Sequence, residues 1–138
     1  MKHAYLLAAL FAAAAVQANP TVETNGVLTN RDGRTLYTFD KDNANKSNCS
    51  SSCLAAWPAF TVANASLAGG DFSVVVRDDG TQQWAFQGKP LYFFSGDAKP
   101  GEVNGDNQGG IWHALHSAPK KAARNNNSNS SAGYSYSY

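Results

Sequence analysis

Two aspartates are the residues whose type and spacing most directly suggest chemistry. Asp42 and Asp97 each end a copy of the pattern G-x-x-L-Y-x-F-x-x-D, and the two copies lie at a fixed offset of 55 residues. Paired carboxylates at a defined separation can act as general acid and base in hydrolysis. A carboxylate just beyond a strand can instead accept backbone N–H groups of the following loop. The sequence defines no separation between the carboxylates, and we expect the structural role.

A second chemical possibility lies in Cys49 and Cys53, which are separated by three serines. An even cysteine count in an exported chain favours a disulfide. The loop that this bond closes is short, and the chain-entropy model gives it a stabilisation of only about 2 kcal/mol. A redox-active dithiol is usually C-x-x-C, and a c-type haem site needs a histidine directly after the second cysteine. We therefore expect a plain disulfide, with a reversible redox couple as the alternative.

Metal ligands are the third possibility. His113 and His116 could bind copper or haem iron only with other ligands, because an extended strand sends these two positions to opposite faces. The acidic segment from Asp40 resembles a calcium loop, but Asn45 and Ser51 occupy the positions that require Gly and Glu. The motifs G-x-S-x-G and H-E-x-x-H are missing from the sequence. We predict no metal site, no cofactor and no enzymatic activity.

The fixed offset indicates an internal duplication, which spans residues 26–58 and 81–113 approximately. The same offset carries Trp57 onto Trp112, each 15 residues after the aspartate of its copy. The shared side chains are candidate structural or binding residues: Tyr37, Phe39, Asp42 and Trp57 in one copy, and Tyr92, Phe94, Asp97 and Trp112 in the other.

The elements that position these residues are predicted to be mainly strands. Asp-Gly turns separate β-prone segments, and residues 72–76, 82–86 and 91–94 predict a three-stranded antiparallel meander. The first copy predicts one hairpin, followed by a short helix over residues 50–56 that ends before Pro58. Tyr37 and Phe39 should share one face of their strand, with Leu36 and Thr38 on the other. The sequence predicts a mainly β domain, a small antiparallel sheet built from a duplicated hairpin unit, with one short helix near Cys53.

Segments of different composition flank the predicted domain of residues 19–118. Residues 1–18 have the charged start, the apolar run and the small-x-small end of a signal peptide. Residues 119–138 are rich in Asn, Ser and Tyr, and we expect a disordered tail. The chain has 11 basic and 10 acidic residues, and loss of Lys2 with the signal leaves it formally neutral. That balance argues against nucleic-acid binding, and no segment beyond the signal predicts a transmembrane span.

Several motifs together resemble one bacterial family. They are the doubled Y-x-F-x-x-D, the C-x-x-x-C and Trp-Pro after its first copy, residues 77–80 (R-D-D-G), residues 88–92 (G-K-P-L-Y) and the Trp-His at residues 112–113. The chain is similar over residues 26–114 to the bacterial secreted repeat and predicted lipoprotein family with the Y-x-[FWY]-x-x-D motif. This resemblance implies an extracytoplasmic domain, often lipid-anchored, whose biochemical function the family name does not provide. No cysteine follows the signal to take a lipid here.

The sequence as a whole favours a periplasmic or secreted protein that acts as a non-catalytic binding or structural module. We expect a monomer whose partner is an envelope protein or a small ligand. The alternative is a periplasmic redox protein or a metal- or haem-handling protein that uses Cys49 and Cys53 or His113.

Overall fold

Short antiparallel strands make up most of the fold. The computed structural model describes residues 19–117, so the predicted signal peptide and tail lie outside the described residues. The elements are β1 (Val22–Thr24), β2 (Val27–Thr29), β3 (Tyr37–Phe39), α1 (Ser52–Ala56), β4 (Phe72–Val76), β5 (Gln82–Phe86), β6 (Lys89–Pro90) and β7 (Trp112–Ala114), with 3-10 turns at Ala65–Leu67 and Gln108–Gly110. The predicted fold class, mainly β with one short helix beside Cys53, is confirmed. No helix within residues 19–117 is long and apolar enough to cross a membrane.

The predicted meander is present as the sheet β4-β5-β6. Its third strand covers Lys89–Pro90, whereas the prediction placed it at residues 91–94. Pairing with β5 ends at Leu91, whose N–H donates to the carbonyl of Trp84 at 2.9 Å. Tyr92 instead exchanges backbone hydrogen bonds with Tyr37, at 2.8 and 3.0 Å. The predicted third strand therefore has two sets of partners: Leu91 bonds to β5, and Tyr92 bonds to β3 of the first copy.

The last segment of each copy forms backbone hydrogen bonds with strands of the other copy. We call residues 57–62 the first arm and residues 112–117 the second arm. In the first arm, the Phe60 N–H donates to the carbonyl of Leu91 and the Phe60 carbonyl accepts from Trp84, both at 2.9 Å. These two partners belong to the second copy, so the first arm completes the second copy's sheet.

The second arm makes the equivalent bonds to the first copy. The Leu115 N–H donates to the carbonyl of Leu36 at 2.9 Å, and the Leu115 carbonyl accepts from the Leu28 N–H at 2.8 Å. Within this arm, β7 pairs antiparallel with β3 in a register that places Phe39 opposite Trp112. The two arms thus make equivalent bonds in opposite directions between the copies.

Strand alternation distributes the apolar side chains between two cores. Tyr37 and Tyr92 lie in one cluster, whereas the preceding residues Leu36 and Leu91 lie in the other, and all four are fully buried. The first core also holds Cys49, Trp57, Trp112 and Ala114, with Phe39 and Phe94 packed against it. The second core also holds Phe72, Trp84 and Phe93. Both cores take side chains from both copies, so neither core belongs to one copy alone.

The short helix lies beside the disulfide. α1 covers Ser52–Ala56, two residues shorter at its start than the predicted segment 50–56. The Cys49–Cys53 bond is formed, with an S–S distance of 2.04 Å, and Cys49 is fully buried. The last hydrogen bond of the helix runs from the Trp57 N–H to the Cys53 carbonyl, at 2.9 Å. The helix ends there because Pro58 follows. The disulfide therefore fastens the helix that leads into the first arm.

Candidate functional site

The tyrosine of each motif binds the aspartate of the other motif. The Tyr37 hydroxyl donates to Asp97 Oδ2 at 2.6 Å, and the Tyr92 hydroxyl donates to Asp42 Oδ2 at 2.7 Å. Both tyrosines are fully buried and belong to the first core. The structure thus brings the motif residues together as two Tyr-Asp pairs, each of which joins the two copies.

The second oxygen of each carboxylate holds the loop that follows its own motif. Asp42 Oδ1 accepts the N–H of Asn48 at 2.7 Å, and Asp97 Oδ1 accepts the N–H of Asn104 at 3.0 Å. In both contacts the carboxylate accepts a backbone N–H of the loop that follows it, which is the structural role that the sequence suggested. The repeat shows that the two tyrosines are equivalent, but it carries no signal that each one reaches the opposite aspartate.

Three aromatic rings stack in the first core, and a fourth packs against them at a tilt. Trp57 and Trp112 lie face to face, with ring centroids 3.8 Å apart and an interplanar angle of 1°. Phe39 stacks on the outer face of Trp112 at 4.1 Å, and Phe94 lies against Trp57 at 4.5 Å. In each position a ring of one copy meets a ring of the other. The stack therefore fastens the copies with dispersion and burial, while the Tyr-Asp pairs add directional bonds.

The tyrosines flank this stack and complete a symmetric cluster. Tyr37 meets Trp57 edge to face at 5.3 Å, and Tyr92 meets Trp112 in the same way at 5.2 Å. All eight motif residues named from the sequence therefore lie in one cluster. We call this set, with its two Tyr-Asp pairs and its ring stack, the crossed cluster.

Burial controls the ionisation of the crossed cluster. Burial, together with the hydrogen bond to Asp42, raises the pKa of Tyr92 to about 12. Burial also raises the pKa of Tyr37 well above its ordinary value, with the hydrogen bond to Asp97 acting in the same direction. Burial raises the pKa of Asp42, against the opposing effect of its hydrogen bonds to Asn48 and Tyr92. Both tyrosines are therefore neutral donors at neutral pH.

One side of the crossed cluster has an additional polar network that the motif search missed. Ser47 Oγ lies 2.5 Å from the Tyr92 hydroxyl oxygen. Arg77 donates from Nη1 to Ser47 Oγ and to Gln83 Oε1, both at 2.8 Å, and from Nη2 to the carbonyl of Cys49. Arg77 was one of the residues that carried the family resemblance, but its sequence context gave it no role.

The opposite side of the cluster has a simpler arrangement. There the backbone N–H of Gly105 donates to the Tyr37 hydroxyl at 3.3 Å. A Cβ at residue 105 would come within 2.6 Å of the Trp57 ring, so glycine permits the loop to approach the stack. Close packing replaces the Arg77 network on this side.

The histidines lie apart from the crossed cluster. His113 Nε2 lies 2.7 Å from Asp40 Oδ2, and His116 Nε2 lies 3.3 Å from Asp106 Oδ2. Each imidazole thus has a single carboxylate neighbour at the surface. Within residues 19–117, no group of three or more His, Cys, Asp or Glu side chains is placed to hold a metal ion.

One concavity of the described surface lies next to one end of the crossed cluster. It is an open cleft of about 290 Å³ lined by Phe39, Asp42 and Lys89, among others. In the described part of the chain, only Val76 and Val103 are large hydrophobic residues with substantial exposure. The described surface therefore carries an open cleft with both polar and apolar lining, and isolated exposed apolar residues.

The comparisons with known proteins agree with this duplicated architecture. A family model described as a secreted repeat of unknown function matches residues 21–61 and again residues 73–116. No curated protein and no solved structure matches the chain. Each match contains one Y-x-F-x-x-D motif and all but the last residue of the arm that follows it. The chain therefore belongs to the Lipoprotein_15 family of secreted repeats, of which it carries two copies.

Proposed function

We propose that the chain is a non-catalytic binding or structural module of the cell envelope. The observation that carries this proposal is the pair of crossed Tyr-Asp hydrogen bonds, at 2.6 and 2.7 Å. The residues that define the family motif contact one another across the two copies. These side chains thus hold the two copies together, and contacts with a partner would be made by the exposed surface of the domain.

Every carboxylate oxygen of the two motif aspartates already accepts a hydrogen bond. Asp42 and Asp97 each use one oxygen for a loop N–H and the other for a tyrosine of the opposite copy. A general acid or base must reach the proton that it transfers. A substrate at either carboxylate would share that group with a loop N–H and with a tyrosine that joins the copies. This arrangement supports a structural role over a hydrolytic one.

The redox or metal-handling alternative has weaker support. In the disulfide, Cys49 is fully buried and Cys53 is partly buried, whereas a reactive thiol needs access to its exchange partner. His113 has Asp40 as its neighbour, and a metal at this position would need further ligands. The alternative therefore depends on groups that would have to be exposed or recruited.

The state of the cysteines in freshly exported protein tests the proposal. Cells of the native host would be treated with a thiol-alkylating reagent before lysis, and the protein's mass would be measured under native and denaturing conditions. A structural module should have no alkyl label and no bound metal or cofactor. The same protein, denatured and reduced before labelling, is the positive control and should gain two labels. A labelled native protein, or one with bound metal or haem, would overturn the proposal in favour of the alternative.

A further inference from the structure

Neither copy is complete by itself. Tyr37 and Tyr92 each find their carboxylate in the opposite copy. Each arm forms its strand bonds with the opposite copy, and the Trp57–Trp112 contact at the centre of the stack also joins the two. A separated copy would expose half of each core and leave a buried hydroxyl without its acceptor, which is costly. A folded domain therefore requires two copies packed against each other.

The segment that connects the copies contributes little to their contact. Residues 63–71 are exposed at every position except Leu67, which packs against the second core. Asn64 accepts the N–H of Ser66, Gly69 pairs with Phe72, and the Asp71 carbonyl accepts the N–H of Gln87, so these hydrogen bonds stay within the segment or join it to the second copy. The bonds between the copies therefore do not depend on which molecule supplies each copy.

We propose that this interface is also an association surface for a second molecule of the same chain. In the exchanged form, the first copy of one molecule packs against the second copy of another, with the same contacts throughout. Exchange of identical elements is a low-cost route to a dimer, because no new surface has to be complementary. This inference rests on the contacts between the copies and is independent of the proposed function.

The connecting segment determines which form predominates. A short flexible tether gives its two ends an effective concentration of roughly millimolar, so the closed monomer prevails in dilute solution. Exchange becomes favourable when the protein folds at high local concentration or when the segment cannot span its two ends. Residues 63–71 thus act as the hinge of the exchange.

A cleavable hinge in the full chain tests the proposal directly. A protease site inserted between Gly69 and Gly70 allows the folded protein to be cut once. Cut samples with and without isotope labels would then be mixed and their native masses measured over time. We expect the halves to stay associated and hybrid masses to form, with uncut protein as the control that gives no hybrids at the same dilution. Separation or unfolding of the cut halves, or persistent failure to form hybrids after joint unfolding and refolding, would overturn the proposal.

A shortened hinge provides a second test. Val62 and Phe72 flank β5 on opposite edges and near opposite ends, since Val62 bonds to Gln82 and Phe72 faces Phe86. Two strand spacings and four residues along the strand separate them by roughly 16 Å. Deletion of residues 63–70 leaves two Cα steps, with a reach of about 7 Å, which is less than half of that separation.

The shortened chain therefore cannot close on itself. We expect a dimer by light scattering, with the near-ultraviolet circular dichroism of the stacked tryptophans retained. A folded monomer would contradict the proposal. If the shortened chain does not fold, the result with the cut hinge decides.

Discussion

At the residue scale, the crossed Tyr-Asp bonds allow the sharpest test. Tyr37→Phe removes one hydroxyl and leaves Asp97 Oδ2 without its donor. A hydrogen bond to a charged group contributes about 1.5–3 kcal/mol, and the free energy of unfolding should fall by about that amount. Urea denaturation would measure the change. Tyr134→Phe, outside the described residues and in the predicted tail, is the matched control and should leave stability unchanged.

A double-mutant cycle distinguishes the energy of this hydrogen bond from the general destabilisation that each substitution causes. Asp97→Asn combined with Tyr37→Phe should cost less than the sum of the single changes, because both remove the same bond. The other pair, Tyr92 and Asp42, should show the same coupling. Additive effects at either pair would contradict the role that the structure gives to the crossed bonds.

The raised pKa of Tyr92 makes stability depend on alkaline pH. An unfolded tyrosine ionises near pH 10, whereas Tyr92 in the folded chain has a pKa of about 12. Its contribution is therefore fully present below pH 10 and is lost as the pH rises from 10 to 12. The urea midpoint should fall across this range, and Tyr92→Phe should make the fall less steep. An unchanged slope in that variant would show that other groups cause the alkaline loss.

At the scale of elements, the turn at Gly33 shows how a loop of one copy contacts a loop of the other. Gly33 has a φ of +85°, and a Cβ there would lie 2.7 Å from Pro100 Cβ. Its carbonyl also accepts the N–H of Gly101 at 2.9 Å. The turn itself was predicted from the Asp32-Gly33 pair. The close approach of Pro100 could not be predicted, because it depends on how the second copy packs.

Gly33→Ala should therefore be more harmful than the same change at Gly26. Gly26 has a nearly identical φ of +84° but no atom within 4 Å of a Cβ, so Gly26→Ala measures the backbone strain alone. The clash at residue 33 should add about 1–3 kcal/mol of destabilisation by overpacking. Thermal and urea unfolding of the two variants would measure the difference. Equal losses would show that the loop shifts away without cost.

At the scale of the whole molecule, the mixed cores predict that the two copies unfold as one unit. Leu36 belongs to the first copy, but its cluster includes Leu91 and Trp84 of the second. Leu36→Ala should cost about 2–5 kcal/mol and should lower protection in both copies by similar factors. Amide hydrogen exchange resolved by residue would measure this, with the exposed Val76→Ala as a control near zero. A loss of protection confined to residues 21–62 would contradict the shared core.

The sequence by itself determined the duplication, the strand-rich class, the short helix beside Cys53 and the family. These features depend on local chemistry: side-chain alternation, Asp-Gly turns, a proline after the helix and a fixed offset between identical residues. The Cys49–Cys53 bond was also predictable, because only two cysteines were available and they lie four residues apart.

Only the tertiary structure decided that the tyrosine of one copy bonds to the aspartate of the other. It also decided that each arm pairs with the opposite copy. A repeat makes within-copy and between-copy contacts look the same, since equivalent residues occur at the same spacing in both. The choice between them depends on where the backbone crosses, here at the Tyr37–Tyr92 contact, and on which rings can then stack. The role of Arg77 also appeared only in the folded chain, because two of its partners, Ser47 Oγ and the Cys49 carbonyl, lie far from it in sequence.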